Sequence, residues 1–600
     1  MDMEKALDIG ALERSLCFAG DKEPGLPPWL EASWKEPASF WEGLWERAKR
    51  ISALHPASVP FRHYDFYHDT VHRFEDSGRQ AMKEPDGKEG WKGLSFAALG
   101  QKSLGLASLW MDSGAEKGKV VALVFEEGET LMLTLLAAFR LGMVVSPIPP
   151  RGRRLLAERL KNLSPDFVVA DDMHASLRIF SGFKRLAHEA LQGKAPGSDI
   201  PFSSSGYAPQ ETAALLFDPT SPEPCTPRPV TAQTLYLGSL RDGMLAMGLK
   251  PGDAYAAPGF NPMEMQPSLM LSGLLAGACL VCPGTEDMAK KVLQLASVKL
   301  RMLGVSRAFR ESLDGVSVDL GKNCSKWFRH PGEGPPSQGW NDFMKEKGLE
   351  KAFAFNFVWN ASLGGACLFS AGVTGRVHGN VLPAAGVRWR MGDMADPSLE
   401  AAGFHGIFMP SSETGDCGED AVWMNSSAML SPHGRQWLFS PLPHTSAKGL
   451  YYPRKEALDA LGDVLPPLSF ASLVFLRPQG FREDIVCRLL VFLPLKPEGE
   501  AEKKQGHAAL LSEIRTCLAR ELGEAFVPDQ VIFFPLFPLL NEEGRVDEQW
   551  CASQYLTGRL QRKARYAVFQ KTGALKALCT RLKTISSTQK QSAPCHDVLP

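Results

Sequence analysis

Apolar and polar positions along this chain fall into two alternating periodicities. Near-continuous apolar runs at 120–125, 144–148, 166–170 and 213–217 alternate with stretches at 130–140 and 155–163 whose apolar positions recur at helical spacing. Short runs that are apolar on both faces belong to parallel strands covered on both sides, and their alternation with helices builds βαβ units. Gly142 predicts the stop of the helix over 130–140, since glycine adopts the left-handed C-terminal conformation at little cost. Residues 94–99 predict a strand leading into a helix capped at Ser95. The stretch Phe40-Trp41-Glu42-Gly43-Leu44-Trp45 predicts one amphipathic leader helix packed on the main body, with no activity of its own. Far downstream, Leu510, Ile514, Cys517, Leu518 and Leu522 form a helical stripe stopped at Gly523.

Composition narrows the class. At 600 residues the chain is long enough for several domain-sized units, and a net charge of −1 gives no global field for nucleic acid. Residues 1–19 lack the apolar core of a signal peptide, and no run of about 18 apolar residues predicts a membrane span. The 12 cysteines are scattered and read as reduced cytosolic thiols, so the expected localisation is cytoplasmic. Cys279 and Cys282 have CxxC spacing but no second pair or nearby histidine, so core packing is preferred to a redox or metal role. His63, His68 and His72 cluster without a third ligand at a metal-site spacing, and surface packing is preferred to zinc. From 556 to 590 the chain carries Lys and Arg but no Asp or Glu. This basic amphipathic tail suits a membrane surface or an acidic protein partner, although a helix folded back on its own domain is the preferred reading.

The stretch of chemical interest is 217–230, FDPTSPEPCTPRPV, where the apolar strand 213–217 runs into a loop and then a segment that reads as helical from Val230. An α/β protein often cradles phosphate at such a junction, with backbone N–H groups and a helix N-terminus converging on the anion. That task needs glycines for close backbone approach and a lysine for charge. This loop has five prolines, no glycine and no lysine, and each proline removes a backbone donor.

The ending Pro227-Arg228-Pro229-Val230 resembles the Pro-Lys-Gly-Val that closes the phosphate loop of the adenylate-forming superfamily, which includes acyl-CoA synthetases, nonribosomal peptide adenylation domains and luciferases. On both sides the order of further matches is similar to that family. Residues 94–99, 117–123 and 141–148 resemble its amino-terminal strand and helix motifs, and 248–253 and 274–281 the stretches after the loop. Trp359-Asn360-Ala361-Ser362-Leu363-Gly364 resembles Trp-Gln-Thr-Glu-Thr-Gly of acetyl-CoA synthetases. Residues 375–390, 422–434, 452–458 and 527–546 resemble the later motifs, so the likeness covers about 60 to 555.

The resemblance implies an α/β fold: a large N-terminal domain of stacked α/β sheets plus a small β section, followed by a small mobile α+β C-terminal domain. The expected divisions are a helical leader over 1–60, a large domain over 61–444, a small domain over 445–555 and the basic tail over 556–600. In the family the loop lysine and glycines hold ATP phosphates, a glutamate holds Mg²⁺, an aspartate grips the ribose, and a lysine on the small domain meets carboxylate and phosphate. Carried onto this chain, the nucleotide positions are Thr220, Ser221, Arg228, Trp359, Asn360, Ser362 and Ser426, and the lysine position is Arg545. Ser362 stands where the magnesium glutamate belongs, Ser426 where the ribose aspartate belongs, and Pro441 where an arginine usually follows. Only Arg228 and Arg545 keep charge, and an arginine fork does not replace one compact lysine charge. The expectation is therefore a fold kept and adenylation lost, in a protein that binds an acyl or aryl ligand or a protein partner and needs no cofactor or metal. The alternative is an atypical carboxylic acid–CoA ligase working through an acyl-adenylate with ATP, Mg²⁺ and CoA, in which Arg545 would be catalytic. Residues 260–265 and the strand before Trp359 would line its acyl pocket.

Overall fold

The computed structural model describes residues 17–18, 28–35, 37–52, 56–86, 90–171, 178–189, 204–219, 221, 223–284, 293–331, 338–370, 372–377, 380–386, 390–392, 405–409, 422–430, 437–440, 452–476, 486–493, 500–542 and 544–567. The chain divides into two compact units, one of 1–150 with 156–451 and one of 151–155 with 452–600.

The first unit holds two sheets. A five-stranded sheet has the order Phe167–Ala170, Val120–Val124, Val144–Ile148, Thr212–Phe217, Pro227–Thr231, parallel except for its last pair. Its βαβ unit is the predicted one: Val120–Val124, helix Glu129–Leu141, strand Val144–Ile148, with Gly142 at φ 72° ending the helix. The second sheet has 15 strands. In its middle Gln80–Pro85, Cys279–Val281, Ala254–Ala256, Met302–Gly304, Lys326–Arg329 and Phe353–Asn360 run parallel, and beyond Phe353–Asn360 the pairing turns antiparallel through Gly365–Phe369 and Asn380–Pro383. The strand Trp91–Ser95 closes the other edge, and Ser95 caps helix Phe96–Asp112 by accepting from Ala98 N at 3.2 Å.

Among the described residues the leader holds two helices, Pro28–Lys35 and Pro37–Ser52, where one was expected. Pro37 stands at the first position of the second helix, where its missing N–H breaks no bond within the helix. Phe40, Trp41, Leu44 and Trp45 are buried against the body. Trp34 Nε1 and Trp41 Nε1 donate to Ala384 O and Gly386 O, both at 3.0 Å.

The segment from Val230 also differs from its sequence reading. Pro227–Thr231 is a strand antiparallel to Thr212–Phe217, and the helix starts only at Ala232, capped by Thr231. Pro227 and Pro229 fix extended-compatible φ and lack N–H groups, which an edge strand tolerates and a helix interior does not.

The second unit has a three-stranded sheet, Phe470–Leu476, Val486–Phe492 and Gln530–Phe534, with helices Arg454–Leu461, Glu500–Leu522, Glu548–Leu556 and Arg559–Ala567. Ile514, Cys517, Leu518 and Leu522 are buried, while Leu510 of the same stripe is only partly so. The start of the basic tail folds on its own unit: Leu560 is buried in a cluster with Cys551 and Tyr555, and Lys563 Nζ lies 5.6 Å from the Trp550 ring centre. Residues 568–600 lie outside the described residues.

Candidate functional site

The 217–230 loop joins the two antiparallel strands as a closed hairpin end. Three of its described backbone donors are used within it: Ser221 N donates to Asp218 O at 3.1 Å, Glu223 N to Ser221 Oγ at 3.2 Å, and Thr226 N to Glu223 O at 3.1 Å. Two of its carbonyls are held from helix Arg153–Leu163, by Asn162 Nδ2 on Cys225 O at 2.9 Å and Arg159 Nε on Pro224 O at 3.4 Å. Arg228 stands opposite Leu216 in the ladder and faces Asp218, with Nη1 3.4 Å from Oδ2. Asp218 is 1% exposed and Arg228 is 30% exposed at the side chain, so the one loop cation already serves a buried carboxylate. Thr220 lies outside the described residues.

The turn after strand Phe353–Asn360 comes against this hairpin through helix Ala232–Arg241. Asn360 caps a 3-10 turn, Ala361–Leu363, its Oδ1 accepting from Ser362 N at 3.0 Å and Ser362 Oγ at 2.7 Å. A Cβ on Gly238 of the helix would sit 2.0 Å from Gly364 O, so the backbones touch there and glycine is required. Gly364 itself is at φ 86°. The arrangement is tied down by a buried ion pair: Arg241 Nε donates to Asp242 Oδ1 at 2.7 Å, Arg241 Nη2 to Ala366 O at 2.6 Å, and Ala366 N to Asp242 Oδ2 at 2.7 Å. Burial pushes the Asp242 carboxyl above the usual carboxylate range, against the pull of Arg241.

Trp359 is 1% exposed, and its Nε1 donates to Ser268 Oγ at 2.7 Å, so its indole is a core group. Ser362 has a hydroxyl committed to Asn360 where a magnesium ligand would need a carboxylate. Asn360 Nδ2 is buried and has no hydrogen-bond partner among the described residues. Phe260 and Phe357, from the segment and strand expected to line an acyl pocket, both pack on Phe328 of strand Lys326–Arg329, with ring centres 5.1 and 5.0 Å away. Ser426 lies in strand Val422–Leu430, one residue before the Ser427–Ser440 pair. In the second unit Arg545 is exposed in a tight turn, its N donating to Asn541 Oδ1 at 2.9 Å and its O accepting from Asn541 N at 2.7 Å.

The structure thus packs the hairpin strands, one of which carries Arg228, against the 361–363 turn that holds Ser362 and is capped by Asn360, while Trp359 is buried in the core. Among the described residues no group of three His, Cys, Asp or Glu could hold a metal ion. His68 Nδ1 is bonded to Asp69 at 2.8 Å and His72 Nδ1 to Glu75 at 2.9 Å. Cys279 and Cys282 are buried free thiols, and burial pushes Cys279 up to about 11 and Cys282 well above the ordinary range, which makes them inert packing groups. Sequence reasoning missed Asp218, although a carboxylate closing an apolar strand opposite an arginine in a hairpin is a readable signal. It also missed Arg159 and Asn162, for which nothing in the local sequence speaks.

No protein-family model matches the chain. Novobiocin biosynthesis protein H from Streptomyces niveus is 27% identical over 219 residues, 34% of this chain, and the match spans only 35% of that protein. Among solved structures, acetoacetyl-CoA synthetase from Streptomyces lividans is similar with a TM-score of 0.57 at 16% identity, covering 91% of this chain and 93% of that one. The o-succinylbenzoate-CoA synthetase from Bacillus subtilis gives 0.60 at 13% identity, covering 82% and 98%. The amide bond synthetase McbA from Marinactinospora thermotolerans gives 0.61 at 12% identity, covering 82% and 100%.

Proposed function

Since the chain has the fold of the adenylate-forming superfamily, we propose that it is a member that has given up adenylation and acts as a binding or scaffold protein for an acyl or aryl small molecule or a protein partner. The observation that carries this reading is the 217–230 hairpin, in which three described backbone donors bond within the loop and Arg228 pairs with Asp218. Acid adenylation needs preorganised donors and cations aimed at the charge that develops in the transition state, and losing one such contact typically costs about 10²–10³ in rate. The residues present do not fit Mg²⁺ and ATP: Ser362 offers one engaged hydroxyl, and Trp359 is turned into the core. No disulfide joins the described cysteines, which suits a reducing compartment, and we infer a cytosolic location. No described helix is long and apolar enough to cross a membrane.

A second reading, an atypical ligase using ATP, Mg²⁺ and CoA, draws on the spare buried donor Asn360 Nδ2, which a ligand oxygen would satisfy. Calorimetric titration with ATP and Mg²⁺, and then with AMP, separates the two. The first reading expects no heat of binding at millimolar nucleotide and no carboxylate-dependent exchange of pyrophosphate into ATP. Binding together with such exchange overturns it, and loss of the exchange in Arg545→Ala would assign Arg545 to the mechanism.

A further inference from the structure

His68 and His72 stand on either side of a bend in the first unit, His68 in helix Phe66–Thr70 and His72 opening the 3-10 helix His72–Ser77. Val71 between them, at φ −126° and ψ −68°, leaves helical geometry. Sequence alone speaks against a metal here for want of a third ligand. The structure adds what lies behind the two rings. His68 Nδ1 donates to Asp69 Oδ1 at 2.8 Å, and His72 Nδ1 donates to Glu75 Oε2 at 2.9 Å. A carboxylate only accepts, so each Nδ1 carries the proton and each Nε2 of a neutral ring keeps its lone pair. Neither Nε2 has a hydrogen bond to a described residue.

Both carboxylates are themselves held in place. Asp69 is fully buried and accepts from Ala57 N at 2.7 Å, Ser58 N at 3.1 Å and Tyr236 Oη at 2.6 Å. Glu75 accepts from Tyr67 Oη on its other oxygen at 3.2 Å. Histidines that bind metals donate their second ring nitrogen to an oriented carboxylate of this kind, which fixes the ring and raises the basicity of the ligating nitrogen. The spacing of the rings agrees. A ring nitrogen binds Zn²⁺ at about 2.0–2.1 Å, which puts the ring centre about 3.2 Å from the ion, and a tetrahedral angle between two such rings sets their centres about 5.2 Å apart. The His68 and His72 ring centres are 5.3 Å apart, with the planes at 64°. The side chains are 27% and 61% exposed, so an ion can reach them from solvent.

We propose that His68 and His72 form an exchangeable two-histidine site for a divalent cation of the zinc class, with both Nε2 atoms as ligands. Imidazole suits Zn²⁺, Cu²⁺ and Ni²⁺, whereas Mg²⁺ and Ca²⁺ take oxygen ligands. Among the described residues no third protein ligand joins the pair, so water completes the coordination and the ion exchanges. The bound ion bridges the bend at Val71 and is tied, through Asp69, to the backbone at 57–58 and to Tyr236 of helix Ala232–Arg241. None of these residues belongs to the 217–230 hairpin or the 361–363 turn, so the site stands or falls apart from the nucleotide question.

Carbethoxylation of the full-length, chelator-treated chain at about pH 8, located on each histidine by tandem mass spectrometry, reads the site, because the reagent and the ion compete for the same Nε2 lone pair. Zinc chloride alone is the probe. His68 and His72 should be protected together with one shared half-point, and at ten times that concentration their reactivity should fall by about tenfold, as simple mass action requires. His72→Gln replaces a largely exposed side chain and should abolish the zinc protection of His68 while leaving its reactivity without zinc. Glu75→Gln should move the half-point to about tenfold higher zinc, the usual cost of losing a carboxylate behind a ligating ring. The site is overturned by zinc that protects neither ring up to millimolar concentration, or only one of them. It is equally overturned by His68 protection that survives His72→Gln, or by a half-point that Glu75→Gln leaves in place.

Discussion

The energetic consequence of Glu127, which follows strand Val120–Val124 and accepts from Gln266 Nε2 at 2.6 Å, is measurable as stability. Its carboxyl is pushed from 4.5 to about 7 in the folded chain by burial and then Glu126, while the unfolded chain ionises near the ordinary value. A raised acid favours the protonated folded state, so the unfolded state binds fewer protons between these two values and stability falls as pH rises through that window. At about 1.4 kcal/mol per pH unit the loss has a ceiling of about 3 kcal/mol and stops growing above the folded pKa. The expected outcome in urea unfolding of full-length protein is that Glu127→Gln gains about 1–3 kcal/mol on the wild type between pH 4.5 and 7, with a flat difference beyond. A difference that stays constant across this range would refute the argument, because it would mean that Glu127 ionises in the folded chain as it does in water.

Other consequences follow from single contacts. Arg228→Met removes the 3.4 Å partner of buried Asp218 and should cost about 1–3 kcal/mol in urea unfolding, less than a fully buried pair because Arg228 is 30% exposed. Gly364→Ala places a Cβ 2.7 Å from Thr234 Cγ2 at a backbone φ of 86°, and a loss of about 1–3 kcal/mol is expected by the same measurement. Leu560→Ala should cost the second unit about 2–5 kcal/mol and raise hydrogen exchange across Glu548–Leu556, whereas an unchanged unit would detach the tail from that core. The hydrogen bond to Asp69 holds His68 above its ordinary pKa against the effect of burial, so its contribution is full below 6.5 and is lost as pH rises through the folded value. Asp69, raised by burial but brought below 3.8 by hydrogen bonds from His68, Ser58, Tyr236 and Ala57, loses its contribution as pH falls through its folded value. Asp69→Asn should flatten both arms of the stability–pH curve.

Periodicity along the chain determined the βαβ core, the stop at Gly142, the cap at Ser95 and the helix ending at Gly523, because those features follow from local backbone preference and from burial on both faces of a strand. The order of motif-like stretches was enough to anticipate the fold. Other outcomes depended on contacts distant in sequence. Whether 227–231 was helix or strand was decided by pairing with Thr212–Phe217, since alternating prolines suit either a loop or an edge strand. Asp218 and Arg228 met only because the hairpin closed, and Arg159 and Asn162 hold the loop from a helix about 60 residues earlier in the chain. Trp359 reads in sequence as part of a nucleotide motif, yet its side chain went to the core because strand alternation and Ser268 offered its N–H a buried acceptor. Glu127 and Gln266 are 139 positions apart, and neither carries a local signal. Residue types recorded which polar and charged groups this chain carries, but only the tertiary structure decided where each of them spends its hydrogen bonds, because a buried donor or acceptor must find its partner in space rather than along the chain.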